Sequence, residues 1–299
     1  MTATLSGSGT PRLQQNWDAR AACNFIGGGS GTGLLLTAAV AFASGWNYFL
    51  AGALAIALIG FGLSMVWLEI GRPLRALNVF FHPQTSWMTR EALLALPLLT
   101  LGAFAVLLDQ PFVFLPFQAH MPVAVLAATA AILGLAFLYC QARILHASKG
   151  VPAWGEPALQ PLIVITGVAE GLGLLLFLTA LAAPPPVWAV PAAIIAVLAR
   201  AGAWDYYRQR LKTRAPAPAV AALDRISVPV HLLGHALPAA LLVCVLLFPS
   251  THALAAVAGL ALAAVGAWIK FAVVTRAAFT QGFSIPFAPI RGRSHNAAP

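Results

Sequence analysis

Eight long apolar segments dominate this chain, at about 24–44, 47–68, 92–108, 122–142, 159–181, 187–204, 228–248 and 252–274. A helix needs about 20 such residues to cross a bilayer core. In hydrocarbon the backbone must satisfy its own hydrogen bonds, so segments of this length become helices. Only 8% of the residues are charged, against about 25% in soluble domains. The expected fold is therefore all-α, a polytopic integral membrane protein with eight transmembrane helices. The third segment is short and contains Pro97. An A-x-A site occurs at Ala41-Phe42-Ala43, but the polar leader is long and seven more spans follow, so the first helix is expected to stay.

The connections between segments set the orientation. The chain has 17 Lys and Arg residues and a formal charge of +9. Arg12 and Arg20 precede the first span; Arg72, Arg75 and Arg90 lie between the second and third; Arg143 and Lys149 follow the fourth. Arg200, Arg208, Arg210, Lys212, Arg214 and Arg225 follow the sixth, and Lys270, Arg276, Arg291 and Arg293 close the chain. All fall on one side, whereas the opposite loops offer only Asp109, His120 and His252 as ionisable groups. The positive-inside rule then places both termini in the cytoplasm, and the excess charge reflects orientation rather than nucleic-acid binding. Trp17, Trp67, Trp87, Trp154, Trp204 and Tyr206 are expected to mark the cytoplasmic interface. Residues up to Trp17 are expected to be mobile, and 212–225, with Ala215-Pro216-Ala217-Pro218, to be a flexible linker.

Gly29 to Leu36 resembles Glu170 to Leu176. An even number of spans separates the two stretches, which suggests a parallel repeat of two four-helix bundles, residues 1–150 and 151–299. Recurrence of small residues in packed membrane helices explains the same similarity.

The densest ionisable cluster is Glu69, Arg72, Arg75, Arg90 and Glu91, around the exit of the second span and the entry to the third. Gly71 and Pro73 stop the helix. Two carboxylates then meet at one membrane face with arginines beside them. Such a place suits a polar head group or proton transfer while a lipidic tail lies among helices; a loop whose acids are neutralised by neighbouring arginines is the alternative. Asn24 opens a span rich in glycine (Gly27, Gly28, Gly29, Gly31, Gly33). No strand precedes that run and no Lys-Ser/Thr follows it, so it is not a nucleotide loop. The glycines permit close helix contact or leave room for a flat ring, and Asn24 either donates into that space or caps the helix.

Glu170 lies near the middle of the fifth span, where an ionised carboxylate costs about 2.5–3.5 kcal/mol. A proton-transfer role and a carboxyl hydrogen-bonded to a neighbouring helix are both open. His231 and His235 share one helix face and cannot ligate a haem from opposite sides. Arg200, Asp205 and Lys270, near helix ends, are expected to pair or to snorkel. Three scattered cysteines exclude an iron–sulfur cluster within the chain, and no metal pattern is present.

The sequence resembles the polysulfide reductase/DMSO reductase membrane-anchor family, the NrfD-like quinone-interacting subunits. The likeness rests on the eight spans, the Gly-rich first helix with its early Asn, the run Leu68-Glu69-Ile70-Gly71-Arg72-Pro73, and Thr85-Ser86-Trp87-Met88-Thr89-Arg90-Glu91. It implies a multi-pass protein of the bacterial inner membrane. Its implied partners are an iron–sulfur electron-transfer subunit and a molybdopterin catalytic subunit on the cytoplasmic side, and its redox ligand is menaquinone or ubiquinone. The family's quinone-site positions map onto Asn24, Glu69 and Glu91, with proton transfer expected at Glu69 and Glu91; from their charge and place, Arg72 is expected to join the quinone site and Arg75 and Arg90 to dock the partner. The DMSO-reductase branch carries His where this chain has Glu69. The tail from Lys270 to Phe283 is similar to the anchor of phenylacetyl-CoA:acceptor oxidoreductase-type complexes. A proton-conducting or transport protein without a redox role is the alternative function.

Overall fold

The computed structural model describes residues 10–69, 73–111, 120–180 and 183–281, with the backbone alone at 73–76. Eight helices are long and apolar enough to cross a membrane: α1 (Ala19–Ala43), α2 (Phe49–Glu69), α3 (Trp87–Leu108), α4 (His120–Ala147), α5 (Leu159–Ala180), α6 (Ala189–Leu211), α7 (Ala217–Leu247) and α8 (Ala253–Arg276). No strand occurs among the described residues. Arg72, Gly71, Arg291, Arg293 and Phe283 lie outside them.

Local chemistry defines the helix ends. Asp18 caps α1, its carboxylate accepting from Arg20 N at 2.7 Å. Hydrogen bonding from Arg20 holds the Asp18 carboxyl below its usual range. At the far end of α1, Trp46 N donates to Ala41 O (3.0 Å) and Gly45 N to Phe42 O (2.9 Å). Gly45 takes φ +90°, the left-handed position that closes such a helix end. Asp109, just past α3, accepts from Tyr48 N (2.7 Å) and Phe49 N (2.9 Å) and so caps α2 from a different helix. Ser86 caps α3.

Helix α1 is the axis of the bundle. Its central window is 78% buried, against 28% for both α2 and α3, and it packs on α2, α4, α5 and α8. Three glycine pairs allow this approach: Gly27 with Gly62 on α2, Gly33 with Gly171 on α5, and Gly173 on α5 with Gly259 on α8. A side chain on any of these would run into the neighbouring backbone, so dispersion between close helices replaces the hydrophobic drive that lipid cannot supply. The two similar stretches, 29–36 and 170–176, meet at the Gly33–Gly171 contact.

Three sequence expectations change. Residues 212–225 are not a flexible linker, because helix begins at Ala217. Pro218 sits in its first turn, where a missing N–H costs nothing. Ala219, Leu223, Ile226 and Val230 form a buried stripe at helical spacing. Residues 12–17 are also tied down: Gln14 N donates to Ala278 O (2.9 Å) and Thr280 N to Arg12 O (2.8 Å), while Trp17 stacks on Trp154 at 4.8 Å; residues 1–9 lie outside the described residues. Finally, Trp154 and Trp204 are core residues rather than interface markers. Trp154 Nε1 donates to Val273 O at 2.9 Å, in the short helical turn Pro152–Gly155 that leads into α5.

Candidate functional site

At the face where α1 begins, α1, α2, α3 and α4 enclose a crevice of about 60 Å³. Asn24, Glu69 and Glu91 line it, with Trp17, Phe25, Val66, Met88 and Ile144 as its apolar walls. Three residues remote in sequence are thus brought to one space. Asn24 lies inside the second turn of α1 and does not cap it; Asp18 has that role.

Asn24, Glu91 and Gln141 are all buried. Gln141, on α4, lies over Gly28: a Cβ there would collide with the Gln141 amide. From this seat Gln141 Nε2 donates to Asn24 O at 3.1 Å. The Asn24 and Gln141 side-chain amides face the Glu91 carboxyl. Yet Asn24 Oδ1, Gln141 Oε1 and Glu91 Oε1 have no hydrogen-bond partner. A buried polar atom left so costs about 1–3 kcal/mol; Asn24 and Glu91 line the crevice, where O–H or N–H donors of a ligand would satisfy them, while Gln141 stands behind Asn24.

Glu69, half-buried, ends α2 at the mouth of the crevice. The arginine beside it is Arg20, whose Nη1 donates to Leu68 O at 2.9 Å. Among the described residues, Arg90 reaches no carboxylate. Its Nε donates to Pro83 O (2.7 Å), its Nη2 to Gln84 O (2.9 Å), and its guanidinium lies 4.1 Å from the centre of the Trp87 ring. Arg90 therefore fastens the α2–α3 connection, and Arg143 approaches the same ring at 4.7 Å. Arg75 falls in the 3-10 helix Pro73–Phe81, where only the backbone is described.

Glu170 is separate from the crevice. It is fully buried, its Oε2 accepting from Lys270 Nζ (2.6 Å) and Ser30 Oγ (2.7 Å). Lys270 and Arg200 do not snorkel; both are at 0% exposure. Lys270 Nζ occupies the space that a side chain at Gly29 would fill, and Glu170 the space at Gly266. Asp205 pairs with His231 at 3.1 Å.

The sequence model of the DMSO reductase anchor subunit family (DmsC) matches residues 47–257, more than half of the chain. This chain belongs to that family. The match begins just before α2 and extends into α8, so it takes in Glu69, Glu91, Gln141 and Glu170 of this anchor subunit but not Asn24 or Lys270. Together with the eight apolar helices it identifies a multi-pass membrane protein. Among curated proteins none matches the chain. Gln141 was missed in sequence because one amide at the end of an apolar run carries no spacing signal; only its seat at Gly28 brings it beside Asn24.

Proposed function

We propose that this anchor subunit joins a molybdenum enzyme and its iron–sulfur partner to the membrane and exchanges their electrons with quinone at the Asn24–Glu69–Glu91 crevice. The carrying observation is the pair of unpartnered acceptor oxygens on Asn24 and Glu91, which line a crevice with apolar walls, with a third on Gln141 behind Asn24. The site fits the two faces of such a ligand. The amides of Asn24 and Gln141 offer N–H to a carbonyl oxygen, and the free oxygens accept from the hydroxyls of the reduced form. The quinone, when bound, supplies the two-electron redox chemistry, and no redox metal is needed within the chain.

The chain's own groups then have distinct tasks. Asn24 orients the ring edge, with Gln141 holding the Asn24 backbone in place. Glu91 gives or takes the proton at the ring oxygen. Glu69, at the mouth and beside Arg20, exchanges that proton with the aqueous face. A ring wider than the crevice enters by displacing Met88, a flexible side chain that is 43% exposed. Arg72, Arg75 and the other basic groups of this face suit an acidic iron–sulfur partner in the cytoplasm, where a catalytic subunit acting on a CoA thioester would find its substrate. The N-terminal half would carry the quinone site, the C-terminal half its support and the cytoplasmic tail.

In the assembled complex, Glu91→Gln should lower quinone turnover by about 10²-fold or more while a quinol-site inhibitor still binds. Full turnover in that variant overturns the assignment. The alternative, a conducting or transport bundle, meets an obstacle. The buried acids and bases among the described residues are Glu91, Glu156, Glu170, Arg200, His235 and Lys270. Each of those in a spanning helix lies ten or more residues from that helix's opposite end.

A further inference from the structure

Among the buried side-chain atoms outside the crevice that lack a partner, four are linked through one guanidinium: both ring nitrogens of His235, Glu170 Oε1 and Arg200 Nε. His235 lies in a π turn of α7, Leu232–Ala236, a rare bulge that recurs at functional positions. Arg200 Nη2 donates to Gly234 O in that turn, and its Nη1 to Leu262 O at 2.8 Å. The same guanidinium acts through space on Glu170 and on His235. On the other side of His235, the His231 ring lies 5.4 Å away. His231 is in turn held between Ser227 O (2.8 Å) and the half-exposed Asp205 carboxylate (3.1 Å). Asp205, His231, His235, Arg200 and Glu170 thus succeed one another inward from the basic face to mid-depth, with Arg200 between His235 and Glu170. Beyond Glu170, Lys270 Nζ lies against Gly29 and the Gln141 amide against Gly28, consecutive residues of α1, and Gln141 bonds to Asn24, which lines the crevice.

We propose that His231, His235, Glu170 and Lys270 form a proton-transfer track that feeds the crevice from the second half of the bundle. It rests on the reading of the crevice as a quinone site. The orphaned atoms are bridged by internal water, since buried polar groups of this kind hold ordered water. A proton enters on His231, passes to His235 and then to the free Oε1 of Glu170. Lys270, its counter-ion neutralised, gives its own proton towards the crevice, and the proton on Glu170 moves to Lys270. One proton enters, one leaves, and the Lys270–Glu170 pair is restored. Arg200 cannot release a proton; it is a positioning residue that fixes the π turn and supplies a fixed positive charge. The groups facing Glu170 are Lys270 from α8, Arg200 from α6 and Ser30 from α1, and those facing His235 are Arg200, His231 and Asp205.

The test uses the complete detergent-solubilised complex, with proton uptake during quinone reduction followed by a pH-sensitive dye. His235→Ala should slow uptake and turnover about ten-fold or more, added imidazole should restore both, and binding of a quinol-site inhibitor should stay within about two-fold. Glu170→Gln, which keeps shape and hydrogen bonding, should slow uptake to a similar extent. Unchanged uptake in both variants overturns the track and leaves the crevice reading intact. Slow uptake in His235→Ala that imidazole does not restore also overturns it, as the residue is then only structural. Failure of the wild-type complex to bind the inhibitor sinks the crevice reading and the track with it.

Discussion

The two buried acids of this protein, Glu91 and Glu170, have opposite surroundings. Glu170 is enclosed by donors: an ammonium at 2.6 Å, a serine hydroxyl at 2.7 Å and a guanidinium nearby. Each keeps one oxygen unpartnered, but Glu91 meets only neutral amides and borders a crevice that opens to the basic face. Removing one member of a compensated pair leaves a buried charge alone, whereas removing an acid with no counter-ion costs the fold less. The difference separates an acid locked into an ion pair from one that is open to a ligand, although the same residue type stands at both.

The comparison breaks first at the Lys270–Glu170 pair. Lys270→Met should destabilise the subunit by about 3–5 kcal/mol, because it strands Glu170 in the interior. The double variant Lys270→Met/Glu170→Leu should recover much of that loss. Thermal unfolding in detergent reads both, and a Lys270→Met protein as stable as wild type would remove the contrast. Next comes packing. A methyl at Gly33 meets the backbone of Gly167, with no soft side chain to yield, so Gly33→Ala should cost about 1–3 kcal/mol as an overpacked core does. Gly28→Ala differs because the obstacle there is the Gln141 amide. It should displace that amide, break its bond to Asn24 O and weaken inhibitor affinity about ten-fold, a change near 1.4 kcal/mol, with little loss of melting temperature. Arg90→Ala removes two bonds to carbonyls and should cost about 1–3 kcal/mol of local stability, without altering inhibitor binding. The smallest effect is set by pH. Asp18 has a folded-state pKa below its ordinary value, so its contribution to the α1 cap is complete above the usual carboxylate range. That contribution fades as pH falls through the depressed value, and amide exchange at Ala21 and Ala22 should report the fraying.

Much of the site could be read from the chain. Asn24, Glu69 and Glu91 stand out because each is a polar residue at the edge of an apolar run, and topology carries all three edges to the same face. The arginines were legible as a group but not as partners. Arg20, from the start of α1, takes the place beside Glu69, while Arg90 turns to backbone carbonyls, and sequence spacing cannot rank such alternatives. Residues 217–225 misled in the opposite sense: prolines and charges suggested a loop, while the Ala219–Leu223–Ile226–Val230 stripe needed a packed neighbour to count as helical.

The sequence by itself determined the eight crossings, the single basic face and the polar edge where Asn24, Glu69 and Glu91 gather. Those follow from transfer free energies that are local and additive along the chain. Tertiary structure alone decided that Lys270 and Glu170 would share the interior, that Gln141 would stand behind Asn24, and that glycines 28, 29 and 266 would serve as seats for polar side chains rather than as bare contacts between helices. A missing Cβ takes its meaning from whatever fills the space, and that neighbour lies far away in the chain: Gln141 for Gly28, Lys270 for Gly29 and Glu170 for Gly266.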